Sequence, residues 1–444
     1  MTARKAQRAP RANARESVRE LQHTLYRAAK ADPRRRFGIL YDKVFRRDVL
    51  LEATRRVLAN RGAGGVDGQT VEQLRATGVE WFVDELQQDL KAKRYRPSAV
   101  RRVYIPKPDG RQRPLGIPTL RDRVAQMAVK LVIEPLFEAD FSACSWGFRP
   151  ARGAHGAHEV IRRTIGKGAH FVVDLDLKSY FDTIDREKLM TLVRERVADP
   201  WVLRLLRGWL EAGVLDAGEV RSTVAGTPQG GVISPLLANI YLNLLDRNWD
   251  KGGFAERADS WQAVLVRYAD DLVILTRSEE AAQKYLGWLE RLFQRMGLEI
   301  NREKTRIARV SEGFDFLGLT FKEGQGRGTR RRFALSYPRH KAMQAVRQKI
   351  KETIRQHPLS TPIREVVGDL NRMLDGWGNY FAWSNASRHF EKIDRYTIDQ
   401  VRLFLRRKHQ RKDSRGHRTW PVAFLVQKLG LTRLTGSLTA RRTR

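Results

Sequence analysis

The stretch AVLVRYADDLVIL, residues 263–275, restricts the fold more than any other in this chain. Ala263–Val266 and Leu272–Leu275 are aliphatic runs bounded by polar residues. Runs of that length and composition read as short, largely buried strands. Asp270 and Asp271 stand between them. Aspartate is a favoured turn residue, so an acidic hairpin turn is one account of the pair. Carboxylates placed for chemistry are the other.

FVVDLDLKSYFDTI, residues 171–184, is a second acidic strand end. Alternation puts Phe171, Val173 and Leu175 on one face and Val172, Asp174 and Asp176 on the other. Asp176 falls where the strand gives way to a turn, and Asp174 is a supporting or alternative carboxylate on the same face. Adjacent central strands would bring Asp176 to Asp270 and Asp271. Carboxylates ~4 Å apart repel by about 4 kcal/mol per pair at an effective dielectric of 20, so such a cluster calls for cations. Hard oxygen donors favour Mg²⁺, which keeps waters and completes its shell with substrate phosphates. Two such ions can hold the attacking and leaving oxygens of an in-line phosphoryl displacement.

The charge balance points the same way. Among 444 residues, 84 Lys and Arg stand against 50 Asp and Glu, a formal net charge of +34. Residues 1–36 carry a net +8 and residues 401–444 a net +12. A chain so polarised expects a polyanion, of which nucleic acid is the commonest. An acidic membrane surface is the competing partner, but the basic segments lack a sustained apolar face. No apolar run approaches the roughly 18 residues of a membrane span. With Cys144 as its only cysteine, the chain has no internal disulfide and no multi-cysteine metal site, which fits a reducing, intracellular setting. The basic start (Arg4, Lys5, Arg8, Arg11) reads as a nucleic-acid-binding arm, since no apolar signal core follows it.

Along the chain, residues 16–60 read as helices broken at Asp32-Pro33, and GAGGVDG (62–68) as a turn. Strands and helices mix over 169–320. One helix, ISPLLANIYLNLLDRNW, has Ser234 as its expected cap and Pro235 in first position. An amphipathic helix carrying Tyr285, Leu289, Leu292, Phe293 and Met296 ends at Gly297. From 340 onward the pattern is helical, and the end of the last long helix is basic at Arg406, Arg407 and Lys408, which suits nucleic-acid binding. The fold class is α+β, a sheet backed by helices.

Tyr268-Ala269-Asp270-Asp271 resembles the YxDD motif of reverse transcriptases. VYIPKPDGRQRPLGIPTLRDRVAQ, FSACSWGFRP, GTPQGGVISPLLANIYLN, GLEINREKTRI and FDFLGLTF resemble successive blocks of group II intron reverse transcriptase–maturases. LNRMLDGWGNYF carries the Gly-Trp-x-x-Tyr signature of the maturase thumb, domain X, as Gly376, Trp377 and Tyr380. The resemblance implies a right-hand polymerase fold, with fingers and palm on an antiparallel sheet followed by an all-helical thumb. The expected divisions are a basic helical N-terminal extension (1–60), fingers (61–168), palm with interleaved finger elements (169–335), thumb or domain X (340–412) and a basic nucleic-acid-binding tail (413–444).

By the same resemblance, Asp176, Asp270 and Asp271 are catalytic and hold two Mg²⁺ ions, with the backbone carbonyl of Leu177 as a further ligand. Lys107 and Arg113 grip the incoming triphosphate; a solvated loop is their plainer reading. Phe181 blocks a ribose 2′-OH, although by itself it reads as a core residue. Gln229 with Gly230 and Gly231 lies beside the nascent base pair, where glycine lets the backbone approach, as an ordinary tight turn also would. Lys304 is the general acid for the leaving pyrophosphate or, alternatively, a plain phosphate or surface lysine. The implied partners are group II intron RNA, an RNA template with a DNA primer, target DNA and dNTP. No membrane is among them, and oligomeric state is left open. The implied function is an RNA-directed DNA polymerase that is also a maturase promoting splicing and retrohoming. The setting is the bacterial cytoplasm at the nucleoid, an organelle being the second choice. The alternatives are a splicing cofactor without polymerase activity, and a domesticated reverse transcriptase in DNA repair or phage defence. The paired cysteines of the endonuclease module that ends many family members are missing from these residues.

Overall fold

A computed structural model of the chain describes residues 11–60, 62–106, 110, 112–216, 219–221, 230–325, 332–411 and 418–436. At its centre is an antiparallel four-stranded sheet, in the order Ala263–Tyr268, Asp271–Thr276, Phe171–Leu175 and Arg306–Arg309. The aliphatic runs lie in it because both of its faces are covered. Val173, Leu175, Leu265, Leu272 and Ile274 point into one core, packed by the helices Leu120–Glu138, Ser234–Lys251 and Glu279–Met296. Val172, Val266, Val273 and Leu275 point into a second core, shared with the helix Ala154–Gly166 and the C-terminal helices. Strands buried on both faces lose the polar alternation of a half-exposed sheet.

A second sheet contains the hairpin expected in the fingers. Val100–Pro106 pairs antiparallel with Gln112–Ile117 and, through Val100 and Arg101, parallel with Val214–Asp216. The helix Ser234–Lys251 starts one residue differently from the sequence expectation. Ser234 is already helical and Ile233 takes the cap position. The physical reason is tertiary: Gln126 Oε1 accepts Val232 N–H at 2.8 Å and Ile233 N–H at 3.5 Å, which holds the approach to the helix from outside.

The expected thumb region contains the helices His340–Arg355, Ile363–Phe381 and Ser387–Lys408. Of the expected tail, residues 418–436 fold back on it, burying Trp420, Leu425, Leu431 and Leu434 in the second core. Asp394 fastens this segment by accepting Leu434 N–H at 2.8 Å and Thr435 N–H at 3.1 Å. Asn371 adds two more bonds: its Nδ2 donates to Gly430 O at 2.7 Å and its Oδ1 accepts Thr432 N–H at 2.8 Å. Among the described residues, no helix is long and apolar enough to cross a membrane.

Candidate active site

The acidic hairpin closes tightly. Tyr268 pairs with Asp271, which leaves Ala269 and Asp270 as a two-residue loop. Such loops need positive φ to match the twist of their strands. Ala269 supplies it, at φ 55°, in the first loop position, where a type II′ turn normally takes glycine. The left-handed region costs an L-residue on the order of 1–2 kcal/mol, so neighbours must hold it there.

Two groups do. A Cβ added at Gly147 would stand 2.6 Å from Ala269 N, so the 142–147 segment can lie flat against the turn only with glycine there. From the other side comes Arg267, fully buried with Asp246. Its Nε donates to Asp246 Oδ1 at 2.8 Å and its Nη2 to Asp246 Oδ2 and to Ser145 Oγ, the latter at 2.8 Å. Its Nη1 donates to Asn239 Oδ1 at 2.9 Å and to Ala269 O at 3.0 Å. A guanidinium has five N–H donors, and each of the five has an acceptor here.

The second acidic strand runs beside the hairpin. Leu175 pairs with Leu272, so the register carries Asp176 opposite Asp271, one strand spacing of ~4.8 Å away. Asp176 Oδ2 accepts Lys304 Nζ at 3.1 Å and Asn301 Nδ2 at 3.2 Å. Leu177 bridges to Ile300, and Asn301 N–H donates to Asp176 O at 2.8 Å, which fixes the turn's backbone. Asp174 lies 3.6 Å from Arg306, its cross-strand neighbour.

The electrostatics show a site short of positive charge. Asp271 opens to the cleft, yet the surrounding protein mass, then Asp270, Asp176 and Asp174, push its carboxyl up to about 6. Burial also raises Asp270, with the positive charge of Arg113 opposing it. Arg113 sits opposite Ile105 on the finger hairpin, so that hairpin extends its field over the aspartates.

The remaining expected residues divide. Lys107 and Gln229 lie outside the described residues. Gly230 has φ 117°, and a Cβ on it would meet Gly116 O at 2.4 Å, so its loop seats directly against the finger strand. Gly231 O accepts Ser234 N–H at 3.3 Å. Phe181 is half-buried, edge-on to Tyr180 with ring centres 5.4 Å apart, and the Tyr180 hydroxyl donates to Ala238 O at 2.7 Å. Arg406 to Lys408 stand on the thumb helix rather than on the sheet. Arg407 is exposed and Arg406 half-buried. Lys408 turns inward: its ammonium donates to the carbonyls of Leu359, Ser360 and Thr361 at 2.7, 3.2 and 3.0 Å. Loop carbonyls need donors, and this lysine meets that need instead of a phosphate's.

Residues 105–321 match the family model for reverse transcriptases (RNA-dependent DNA polymerases), and residues 343–420 match that for the group II intron maturase-specific domain. The chain belongs to the group II intron reverse transcriptase–maturase family. Protein YkfC of Escherichia coli is 35% identical over 361 residues, 73% of this chain and 93% of that one. The group II intron-encoded protein LtrA of Lactococcus lactis is 39% identical over 214 residues, 48% of this chain and 35% of its own length. A 91 kDa protein in the cob intron of Schizosaccharomyces pombe is 27% identical over 421 residues, 79% of this chain and 51% of that protein. The chain thus spans a third to a half of these intron-encoded relatives and nearly all of the Escherichia coli one.

Reverse transcriptases use divalent metal. Among the described residues no three His, Cys, Asp or Glu side chains converge tightly enough to enclose an ion as they stand. Asp176 instead lies on Lys304 and Asn301. The donor set nevertheless fits a divalent cation: hard carboxylate oxygens at adjacent strand ends, with Asp271 raised by burial and then by its neighbours' negative charge.

For this reverse transcriptase–maturase, sequence reasoning missed the supports. Gln126, Gly147, Asn239, Asp246 and Arg267 act through tertiary contacts. The available signal was Arg267 itself, a charged residue inside an aliphatic run, which demands a buried acid somewhere in the fold.

Proposed function

We propose that this chain copies RNA into DNA at the aspartate cluster, and that its basic thumb and N-terminal extension hold the RNA of a group II intron to promote splicing and retrohoming. The observation that carries the reading is the strand register, which sets Asp176 beside Asp271 and the Asp270 turn, under the field of Arg113.

In this reading Asp176, Asp270 and Asp271, with the Leu177 carbonyl, hold two Mg²⁺ ions. A metal held there would lower the pKa of a primer 3′-OH and offset charge on the leaving pyrophosphate. The primer 3′-OH gives its proton to solvent water, and its oxygen bonds to the α-phosphorus of a dNTP as the bond to pyrophosphate breaks. Arg113, with Lys107, neutralises the triphosphate. Lys304 leaves Asp176 when substrate arrives and gives a proton to the pyrophosphate. The Phe181 ring closes the space a 2′-OH would need, and the Gln229–Gly231 loop lies against the new base pair. Arg406 and Arg407 contact RNA phosphates, which supplies affinity independent of sequence. Target DNA is a further partner, and the setting is the bacterial cytoplasm at the nucleoid.

Primer extension on an RNA template with a DNA primer tests this, comparing dNTPs with rNTPs and wild type with Asp270→Ala/Asp271→Ala. We expect Mg²⁺-dependent dNTP extension that the double variant loses by at least about 10³-fold. A folded wild type that binds RNA tightly and extends nothing would leave the splicing cofactor as the better description.

A further inference from the structure

We propose that Arg267 is a positioning residue for the carboxylate turn, setting the direction in which Asp270 leaves the hairpin and so the fit of the site for a divalent cation. This rests on the reading of Asp176, Asp270 and Asp271 as the cation's ligands. The argument begins with Ala269. Its left-handed φ of 55° places its carbonyl where Arg267 Nη1 reaches it at 3.0 Å. That carbonyl shares a rigid peptide plane with the N–H of Asp270. Fixing the oxygen therefore fixes the plane from which the Asp270 side chain departs.

The guanidinium is itself immobile. Asp246 and Asn239 hold it from the helix Ser234–Lys251, and Ser145 holds it from the segment laid along the sheet edge. The backbone repeats the connection: Arg267 N–H donates to Cys144 O at 2.9 Å, and Trp146 N–H donates to Arg267 O at 2.8 Å. One side chain thus joins strand, helix, edge segment and turn. Core stability alone does not require this, because a buried ion pair can often be replaced by apolar residues without loss. Lysine cannot stand in for it: an ammonium has three donors at one point where the guanidinium spreads five over a plane.

The test is a titration of the full-length protein with Mn²⁺ alone, read by electron paramagnetic resonance, beside thermal melting and template–primer affinity. Wild type and Asp270→Ala/Asp271→Ala come first. If the double variant binds Mn²⁺ as wild type does, the reading of the aspartates as ligands fails, whatever Arg267 does. If they differ, Arg267→Lys is expected to weaken Mn²⁺ binding about tenfold or more, as losing a charge-assisted hydrogen bond implies, with template–primer affinity retained. Ala269→Gly in that background should recover most of the loss, because glycine takes the left-handed turn without being held there. A merely structural arginine predicts otherwise: melting temperature falls, and Mn²⁺ affinity per folded molecule stays at the wild-type value or is not restored by glycine. Either result overturns the proposal. Should Arg267→Lys not fold, Gly147→Ala decides, since it leaves the ion pair whole and presses a methyl on Ala269 N. Unaltered Mn²⁺ affinity in that variant would show that the turn needs no such positioning.

Discussion

At the level of single residues, Phe181 is the side chain to which the proposed function gives the choice of substrate sugar. It is half-buried against the first core and leans on Tyr180, which a hydroxyl bond to Ala238 fixes in place. Phe181→Ala should therefore leave the fold intact while opening room for a ribose 2′-OH. The expected outcome is a fall on the order of 10- to 100-fold in the ratio of kcat/KM for dNTP over rNTP, measured by single-nucleotide extension. An unchanged ratio would return Phe181 to the core. The meeting of the aspartates was legible in the sequence because two acidic strand ends on aliphatic runs read as neighbours in one central sheet, which the register bears out. Lys408 was not. A lysine in a basic run reads as a phosphate contact, and only the fold brings the 359–361 carbonyls to its ammonium. Arg267 lay in plain view, but its acid sits 21 residues away on another element, beyond the reach of local pattern.

Among the elements, the helix Ala154–Gly166 has an unusual position. Ala157, Ile161 and Ile165 face the second core, and His158 is buried with them, 5.6 Å from the Phe321 ring and edge-on to Tyr380. Burial, then the nearby His155, lowers the His158 pKa from 6.5 to about 4. The folded state thus prefers the neutral ring. Its contribution is complete above pH 6.5 and is lost as pH falls from 6.5 toward 4, by up to about 3 kcal/mol. His158→Leu should flatten the decline of Tm across that window, and a decline equal to wild type would count against the assignment. The helices from residue 340 onward were legible in the sequence pattern, whereas the helix Ala154–Gly166 was not read from it. The 418–436 segment was not, since Trp420, Leu425, Leu431 and Leu434 follow no period. What places them is capping by Asp394 and Asn371, which no local rule reveals.

At the scale of the whole molecule, a net charge of +34 makes affinity for RNA a property of the solution as much as of the surface. If roughly six phosphates are neutralised, raising salt from 50 to 200 mM should lower RNA affinity on the order of 10³-fold. Filter binding across a salt series measures the slope, and a flat response would argue for recognition by shape or stacking instead. The charge was fully legible in the sequence; the arrangement of the two cores was not, because aliphatic runs say that a strand is covered without saying by what. That arrangement limits how the gene can be cut. Val172, Val266, Val273 and Leu275 share one core with the helix Ala154–Gly166 and the C-terminal helices, while the other side of their sheet packs on Leu120–Glu138, Ser234–Lys251 and Glu279–Met296. A polymerase trimmed of its C-terminal helices would open that core beside the helix Ala154–Gly166, at roughly 1.5–3 kcal/mol for each large apolar side chain laid bare, on the back of the strands that carry its aspartates. The two lobes are therefore not exchangeable modules. A chimera that swaps one of them must bring a matching face for the sheet they share.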